Sequence, residues 1–463
     1  MITLPLNAVL RATLVSAFVA GILIGLHPAS QARAQGLPLI RDTEIELLLN
    51  DYSQSIFRAA GLGTGRVTVR IVNNEAFNAF VVDGRNVFMH TGTLVQSNTP
   101  NEVIGVIAHE AGHIAGGHMA ALRSRIAKDQ TRALLIQLLG IGAMIGGAAT
   151  GSEGAGSVGQ GVMMGGNELI MRGLTAERRS QESAADQAGL KYLNATQQSG
   201  LGMLTTFERF AGQELFSDAH KDAFARTHPV ATDRLARLRQ LVETSPYYKN
   251  KDAPELQLRH DMMRAKLSGY MEAPSIVFNR YPVSDTSLPA RYARTIASFR
   301  QGAGGFEQGL AGVNALIRDY PSNPYFWEVK GDFLQKAGRP KEAIGPLRKA
   351  LELHKGDAPL VGVQLAQALL QTKEPQHSDE AIALLRKAVQ REPDNASAYN
   401  TLGQAYYDKG LLPQAELARA QGLFYFGALK QAQEFAKRAQ AGLKPGTPDW
   451  VKADDIVNYK PQT

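Results

Sequence analysis

The residues best able to do chemistry are His109-Glu110-Ala111-Gly112-His113. Four residues along a helix advance about 400°, so the two imidazoles share one face, a turn apart. That spacing suits two ligands of one tetrahedral zinc ion. Glu110 falls beside them, where a carboxylate can take a proton from a metal-activated water. The preceding run, Val103-Ile104-Gly105-Val106-Ile107-Ala108, makes this a buried apolar helix. Two histidines and a glutamate on such a helix are costly unless something binds them. The chain has no cysteine, so a metal must be held by histidine and carboxylate, and no thiol can act as nucleophile.

Two residues compete to be the third ligand. His118 lies close by, and Gly116 sits where the HExxHxxGxxH pattern needs glycine, but that pattern puts its last histidine at position 119, which is Met119. On a continuous helix His118 lies about 140° round from His113, which suits a supporting histidine. Glu182, in Glu182-Ser183-Ala184-Ala185-Asp186, is favoured. Its four-residue spacing puts Asp186 on the same face, where it can hydrogen-bond the far nitrogen of a ligand histidine. A solvated charged helix would show the same spacing, but Ala184, Ala185, Ala188 and Gly189 speak for close packing against another helix. Next comes Thr227-His228-Pro229. The residue before proline is held extended, so His228 has a fixed place on a loop. It can donate to an oxyanion or fill a fourth metal position. Arg234 can pin that loop or hold a substrate carbonyl.

These residues need elements to position them. Residues 38–245 mix helical and strand patterns, an α+β domain with a small antiparallel sheet. Asp42 to Ala60 reads as a helix and Val67 to Val72 as a strand. Phe80-Val81-Val82 and Asn86-Val87-Phe88-Met89 flank Asp83-Gly84-Arg85 as a hairpin. The sheet edge near Val87-Phe88-Met89-His90 is expected to pair with an extended substrate. Residues 134–166 are apolar and then glycine-rich, with eleven glycines from Gly140 to Gly166. They read as a lid or membrane-touching loop, or as a buried helix hairpin. Residues 246–286, with Pro246, Pro254, Pro274 and Pro282, read as a linker.

Residues 287–445 repeat with a period of about 34 residues. Trp327, Gly331, Leu334, Ala343, Leu347 and Ala350 take the tetratricopeptide positions. Leu365, Ala366, Leu369, Ala381, Leu385 and Ala388 recur in the next unit, and Tyr399, Leu402, Gly403, Tyr406 and Ala415 in another. Stacked helix pairs of this kind give an all-α solenoid with a concave face. Residues 446–463 form a tail. At the other end Arg11 precedes an apolar run from Ala12 to Leu26, and Ala32-Arg33-Ala34 offers a cleavage site, so residues 1–34 read as an export signal. A formal net charge of +7 over 463 residues, without a basic block, does not argue for nucleic acid. With 44% hydrophobic and 20% charged residues, wholesale disorder and a multi-span membrane protein are excluded.

His109 to His113, Glu182 with Asp186, His228-Pro229 with Arg234, and Asn78-Ala79-Phe80 together resemble the Ste-type/HtpX-like family of zinc metallopeptidases. With the export signal and the repeats, the chain is similar to exported members of that family. The resemblance implies a mostly helical zincin-type domain that holds one zinc with His109, His113 and Glu182. It implies Glu110 as general base, and His228 as a fourth ligand that plugs the resting site. It further implies a periplasmic endopeptidase and chaperone acting on unfolded or stalled outer-membrane proteins, with the repeats docked on the assembly machinery. Peripheral membrane contact is a further expectation. The rival reading is a chaperone or adaptor whose protease site is normally closed.

Overall fold

The structure is a computed structural model that describes residues 37–63, 65–82, 84–150, 155–213 and 221–461, with the backbone alone for 139–150, 155–163, 166 and 167. The expected export signal, residues 1–34, lies outside the described residues, as do residues 151–154 of the glycine-rich stretch. The first elements are β1 (Leu39–Ile40), α1 (Thr43–Ala59), β2 (Thr68–Val72), β3 (Ala79–Val81), β4 (Asn86–His90) and α2 (Thr91–Gln96). Asp42 caps α1 by accepting from the Ile45 amide, and Ile45, Leu48, Leu49, Tyr52 and Ile56 form its buried stripe. Gly84, at φ +72°, supplies the left-handed turn between β3 and β4.

The sheet is mixed rather than wholly antiparallel. Its order is β1-β2-β4-β3, with β2 parallel to β4 and the other pairs antiparallel. The β3–β4 hairpin inserts its second strand beside β2, which the hydrophobic alternation of separate strands cannot reveal. The consequence for function is direct. Strand β4, expected from sequence to be the open edge, is paired on both sides, and the free edge belongs to β3.

Next come α3 (Pro100–Ala115), α4 (His118–Thr150), α5 (Ala155–Ala195), α6 (Leu201–Arg209), α7 (Ala223–Thr227) and α8 (Thr232–Glu243). Helix α3 starts on a capping box: Thr99 accepts from the Glu102 amide and Glu102 accepts from the Asn98 amide. Pro100 sits in its first turn, where no amide hydrogen is needed. The glycine-rich stretch is helical in its described backbone, forming the distal parts of α4 and α5, which pack along each other.

Residues 246–286, read as a linker, are largely helical. They hold α9 (Pro254–Met271) and α10 (Pro274–Arg280). Pro254 and Pro274 start these helices, so prolines that look like breaks are helix N-termini. Helix α9 contributes Met263 and Leu267 to the peptidase-side core, and Met262 and Ala265 to the core of the following helices. It is a shared wall between the two parts.

The remainder is helix pairs: α11 (Leu288–Phe299) with α12 (Gly305–Asp319), α13 (Pro324–Lys336) with α14 (Pro340–Leu353), α15 (Pro359–Gln371) with α16 (His377–Arg391), and α17 (Ala396–Asp408) with α18 (Leu412–Tyr425). Helices α19 (Leu429–Gly442) and α20 (Pro448–Asn458) follow. A Cβ at Gly331 would lie 2.5 Å from Leu347, so the glycine lets α14 seat its leucine against α13. The N-terminus of α1 meets these pairs. Arg41 pairs with Glu392 at 2.8 Å, Arg70 pairs with Asp394, and Tyr292 donates to Glu44 at 3.1 Å. Buried Lys266 of α9 lies 2.8 Å from Asp42 and 3.3 Å from Glu44.

His260 of α9 gives a test of this wall. Fully buried, it lies 3.1 Å from the Tyr52 hydroxyl and 3.0 Å from the Ser97 carbonyl. Burial lowers its pKa to about 4, and Arg264 adds to this, against the Ser97 carbonyl. Between about 4 and its ordinary 6.5 the unfolded chain takes up a proton that the folded chain refuses, so stability falls as pH falls through that window. At pH 5 the loss is about 2 kcal/mol. Denaturant unfolding at pH 7 and pH 5 should show this loss in the wild type and not in His260→Gln, which keeps a donor and an acceptor but cannot titrate.

Candidate metal centre

Helices α3 and α5 touch almost backbone to backbone. A Cβ at Gly112 would lie 2.7 Å from the Ala185 carbonyl, and one at Gly189 would lie 3.1 Å from the backbone of Ala108 and His109. This approach carries His109 and His113 up to Glu182 and Asp186. The loop between α7 and α8 then brings His228. One ligand atom from each of His109, His113, Glu182 and His228 lies within 4.8 Å of all the others, and all four residues are buried.

The spacings suit a small cation. His109 Nε2 is 3.1 Å from His113 Nε2, 3.2 Å from His228 Nδ1 and 3.5 Å from Glu182 Oε2. His113 Nε2 is 3.4 Å from Glu182 Oε1, and His228 Nδ1 is 3.2 Å from it. Zinc bonds of about 2.0–2.1 Å in a tetrahedron require ligand atoms about 3.3 Å apart. Nitrogen and oxygen lone pairs converging at these distances need a cation among them.

Each imidazole has a partner on its far side. His109 Nδ1 donates to Asp186 Oδ1 at 2.9 Å, which turns Nε2 into the cluster. His228 Nε2 donates to the Ala79 carbonyl at 3.1 Å, which leaves Nδ1 facing the cluster. His113 Nδ1 meets His118 Nδ1 at 3.0 Å. A Cβ at Gly116 would lie 2.4 Å from the His118 ring, so that glycine makes the contact possible. Arg234 donates to both Asp186 oxygens, at 2.5 and 2.7 Å, and to the Pro229 carbonyl at 2.8 Å. It also lies 2.9 Å from Glu182 Oε2.

The charges reinforce one another. Burial opposes ionisation of Glu182, but His228, His109 and His113 outweigh it and hold its carboxyl well below the usual value. Burial likewise opposes ionisation of Asp186, and Arg234 and His109 outweigh it. Burial disfavours the His109 cation, yet Asp186 and Glu182 raise its pKa to about 9. Burial lowers the His113 pKa. Glu110 stands apart: it is fully buried, and neither carboxylate oxygen has a hydrogen-bond partner. Its Oε1 is 3.3 Å from His228 Nε2, without hydrogen-bond alignment.

All seven site residues singled out in the sequence therefore meet. The contacts that hold them were not legible there. Thr227 donates to Asn78 Oδ1 at 2.9 Å, tying the His228 loop to the start of β3. Arg178, one turn before Glu182, donates to the carbonyls of Arg226 and Thr227. Its carbonyl acceptors have no sequence signal. Asn78-Ala79-Phe80 stood out by resemblance, but that the Ala79 carbonyl receives His228 is a backbone contact with no side-chain signal.

A zinc-dependent peptidase is the class this arrangement defines. Residues 43–242 match peptidase family M48, and residues 297–358 and 378–410 match tetratricopeptide repeats. The chain thus carries an M48 metallopeptidase domain followed by those repeats. It is 24% identical to the beta-barrel assembly-enhancing protease of Escherichia coli (strain K12) over 432 residues, 91% of this chain and 84% of that one. The protein of the same description from Yersinia pestis is 23% identical over 446 residues, 92% of this chain and 85% of that one. Metalloprotease LoiP of Escherichia coli (strain K12) is 27% identical over 173 residues, 37% of this chain and 62% of that one.

The helix contact is testable. Gly112→Ala puts a methyl against the Ala185 carbonyl and must push α3 and α5 apart. Overpacking of this kind costs about 1–3 kcal/mol. Unfolding should report that loss, and chelator competition should show weaker zinc binding than in wild type.

Proposed function

We propose that His109, His113 and Glu182 hold zinc and that Glu110 is the general base of an exported endopeptidase. The observation that carries this reading is the Glu110 carboxylate, buried beside the four converging ligand atoms with no hydrogen-bond partner. A buried carboxylate left without donors is costly unless a reacting group supplies one. Zinc in this site supplies a Lewis acid for the scissile carbonyl and lowers the pKa of water. Glu110 accepts the proton of the attacking water and returns it to the departing amine nitrogen. Asp186 keeps His109 Nε2 turned inward, and Arg234 holds Asp186 and the Pro229 carbonyl in place.

The free edge of β3 is where an extended client adds as a strand. The Asn78 carbonyl accepts from the His90 amide on β4. Carbonyls alternate along a strand, so the next one, Ala79, points to the free edge. That carbonyl is the one His228 holds. His228 thus stands both in the cluster and on the strand that a client would use, which supports the role of a removable fourth ligand over that of an oxyanion donor.

The clients in this reading are unfolded or stalled outer-membrane proteins in the periplasm. Support comes from the beta-barrel assembly named for the relatives, from the tetratricopeptide repeats, and from the export pattern of residues 1–34. A cavity of about 430 Å³ between α1, α9 and the repeats, with Lys266, Glu328, Gln364, Gln367 and Asn395 in its wall, offers polar partners for a bound segment. The second reading, a chaperone or adaptor with a closed protease site, is favoured by His228 Nδ1 lying among the ligand atoms.

Glu110→Gln separates them. The amide keeps the shape of the site and cannot accept the proton, so zinc content should stay near one per chain while cleavage of casein falls at least 100-fold. In cells lacking the wild-type gene, failure of this variant to clear a stalled outer-membrane protein supports the peptidase reading. Full rescue supports the chaperone reading.

His228→Ala distinguishes plug from oxyanion donor by sign. As a plug, its loss raises self-cleavage above wild type. As a donor, its loss lowers all cleavage by about 10²–10³-fold. Incubation beside Glu110→Gln, followed by gel electrophoresis, reads out which occurs.

A further inference from the structure

We infer that Arg178 is the latch of the His228 loop, and that a side-chain carboxylate on an incoming client releases it. The inference rests on the reading of His228 as a removable fourth ligand and names what removes it. Helix α7 is five residues long and ends at Thr227, so its last carbonyls have no further turn of helix to bond. Arg178, on the ligand helix α5, supplies the missing donors. Its Nη2 donates to the Arg226 carbonyl at 3.2 Å and to the Thr227 carbonyl at 3.0 Å. A cation at the carbonyl end of a helix has the favourable sign. The two bonds grip the residues immediately before His228.

The other holds on this loop are tied to the metal centre or shielded from solvent. Arg234 holds the Pro229 carbonyl, but it is buried, bonds Asp186 and faces Glu182. The Thr227 hydroxyl reaches Asn78, which is buried at the start of β3. Arg178 has no hydrogen bond or ion pair to a ligand side chain, and among the described residues that hold the loop it is the exposed one. A molecule arriving from solvent meets this hold first.

Its bonding is also of the kind that a carboxylate displaces. Among the described residues Arg178 has no carboxylate partner, and its Nε and Nη1 have no acceptor. Glu177, next to it in sequence, is taken by Arg125 at 3.5 Å and by Gln181 at 3.2 Å. Arg179 is exposed beside it and has no acid partner among the described residues, so the local charge is positive. A carboxylate pairs with a guanidinium through two parallel bonds, from Nη2 together with Nε or with Nη1. Either fork takes back at least one of the Nη2 hydrogens now given to the loop. Two full charges meet in that pair where the carbonyls offer only dipoles, so the exchange favours the carboxylate. Water satisfies the freed carbonyls, and the residues that carry His228 lose their hold on α5. The client that opens the site is therefore one with acidic side chains beside the segment to be cut.

Hydrogen exchange of residues 223–230 reads the latch without any cleavage, in the metal-free full-length chain carrying Glu110→Gln. Adding Arg178→Gln should speed exchange there about 3- to 10-fold, the worth of one or two exposed hydrogen bonds, and leave α3 unchanged. A triglutamate peptide blocked at both ends, at millimolar concentration and constant ionic strength, should speed the same segment in the parent and not in Arg178→Gln. Blocked triglutamine should change neither. With zinc bound and Glu110 intact, Arg178→Gln should raise self-cleavage above wild type, whereas loss of a residue needed only for the fold would lower it. The proposal is overturned if Arg178→Gln leaves exchange in 223–230 unchanged or speeds α3 equally. It is overturned if triglutamate leaves the parent unchanged, acts equally on Arg178→Gln, or is matched by triglutamine. It is overturned too if His228→Ala raises self-cleavage and Arg178→Gln does not. A fall of cleavage in His228→Ala removes the plug reading instead, and the exchange results still decide whether Arg178 holds the loop and a carboxylate frees it.

Discussion

The near-contact of α3 and α5 is the constraint on which the metal centre depends. Glycine at positions 112 and 189 removes the side chains that would hold the backbones apart, and Ala185 fits the remaining gap. Only at that separation can a short glutamate side chain on one helix reach two imidazoles on the other. The approach also seals the site from water, and sealing makes every polar group in it expensive. The rest of the local structure answers that cost. Asp186 faces His109, Arg234 faces Asp186, His118 faces His113, and the Ala79 carbonyl faces His228. These contacts satisfy the outer nitrogens and oxygens, and Arg234 also reaches Glu182 Oε2. The inner set, three nitrogens and a carboxylate within 4.8 Å of one another, can hold a cation.

The same network links the metal to the position of a loop. Arg234 reaches the Pro229 carbonyl, Arg178 reaches those of Arg226 and Thr227, and Thr227 reaches Asn78. His228 is therefore held from three directions by groups belonging to α5, α8 and the start of β3. Two of these anchors, Arg234 and Asn78, also touch what a reaction would use: the Asp186–His109 pair and the edge strand. Under the proposed function, a strand added at β3 would compete first for the Ala79 carbonyl that His228 now holds.

Much of this was legible in the sequence because its chemistry is local. The His109–His113 spacing, the Glu182–Asp186 spacing and the proline after His228 are each readable from helix geometry or backbone sterics. The small residues around Ala185 signalled close packing without naming the partner helix. What could not be read is nonlocal or backbone-borne. Strand order is decided by where the β3–β4 hairpin docks, so β4 looked like an edge and β3 is one. Pro254 and Pro274 looked like breaks because proline at a helix start and proline in a loop are the same letter. The glycine-rich stretch admitted loop and hairpin alike, since glycine weakens helix propensity without forbidding a helix that packs on a neighbour.

Helix α9 gives the two-part architecture its mechanical character. A flexible linker would let the repeats wander relative to the peptidase domain. Here one helix lies in both cores, and its buried Lys266 faces Asp42 and Glu44 from the first helix of the peptidase domain. Burial alone would strip Lys266 of its proton, but Asp42, Glu328 and Glu44 outweigh burial and hold its pKa well above the usual value. A buried ammonium ringed by carboxylates is destabilised by removing any one of them, so the junction tolerates little sliding. The repeats are then a fixed arm rather than a tether. Under the proposed function, a client segment seated on them would stand at a set distance from the β3 edge, only the part of its chain spanning that distance would reach the metal, and selectivity would come from reach as well as from the side chains beside the scissile bond.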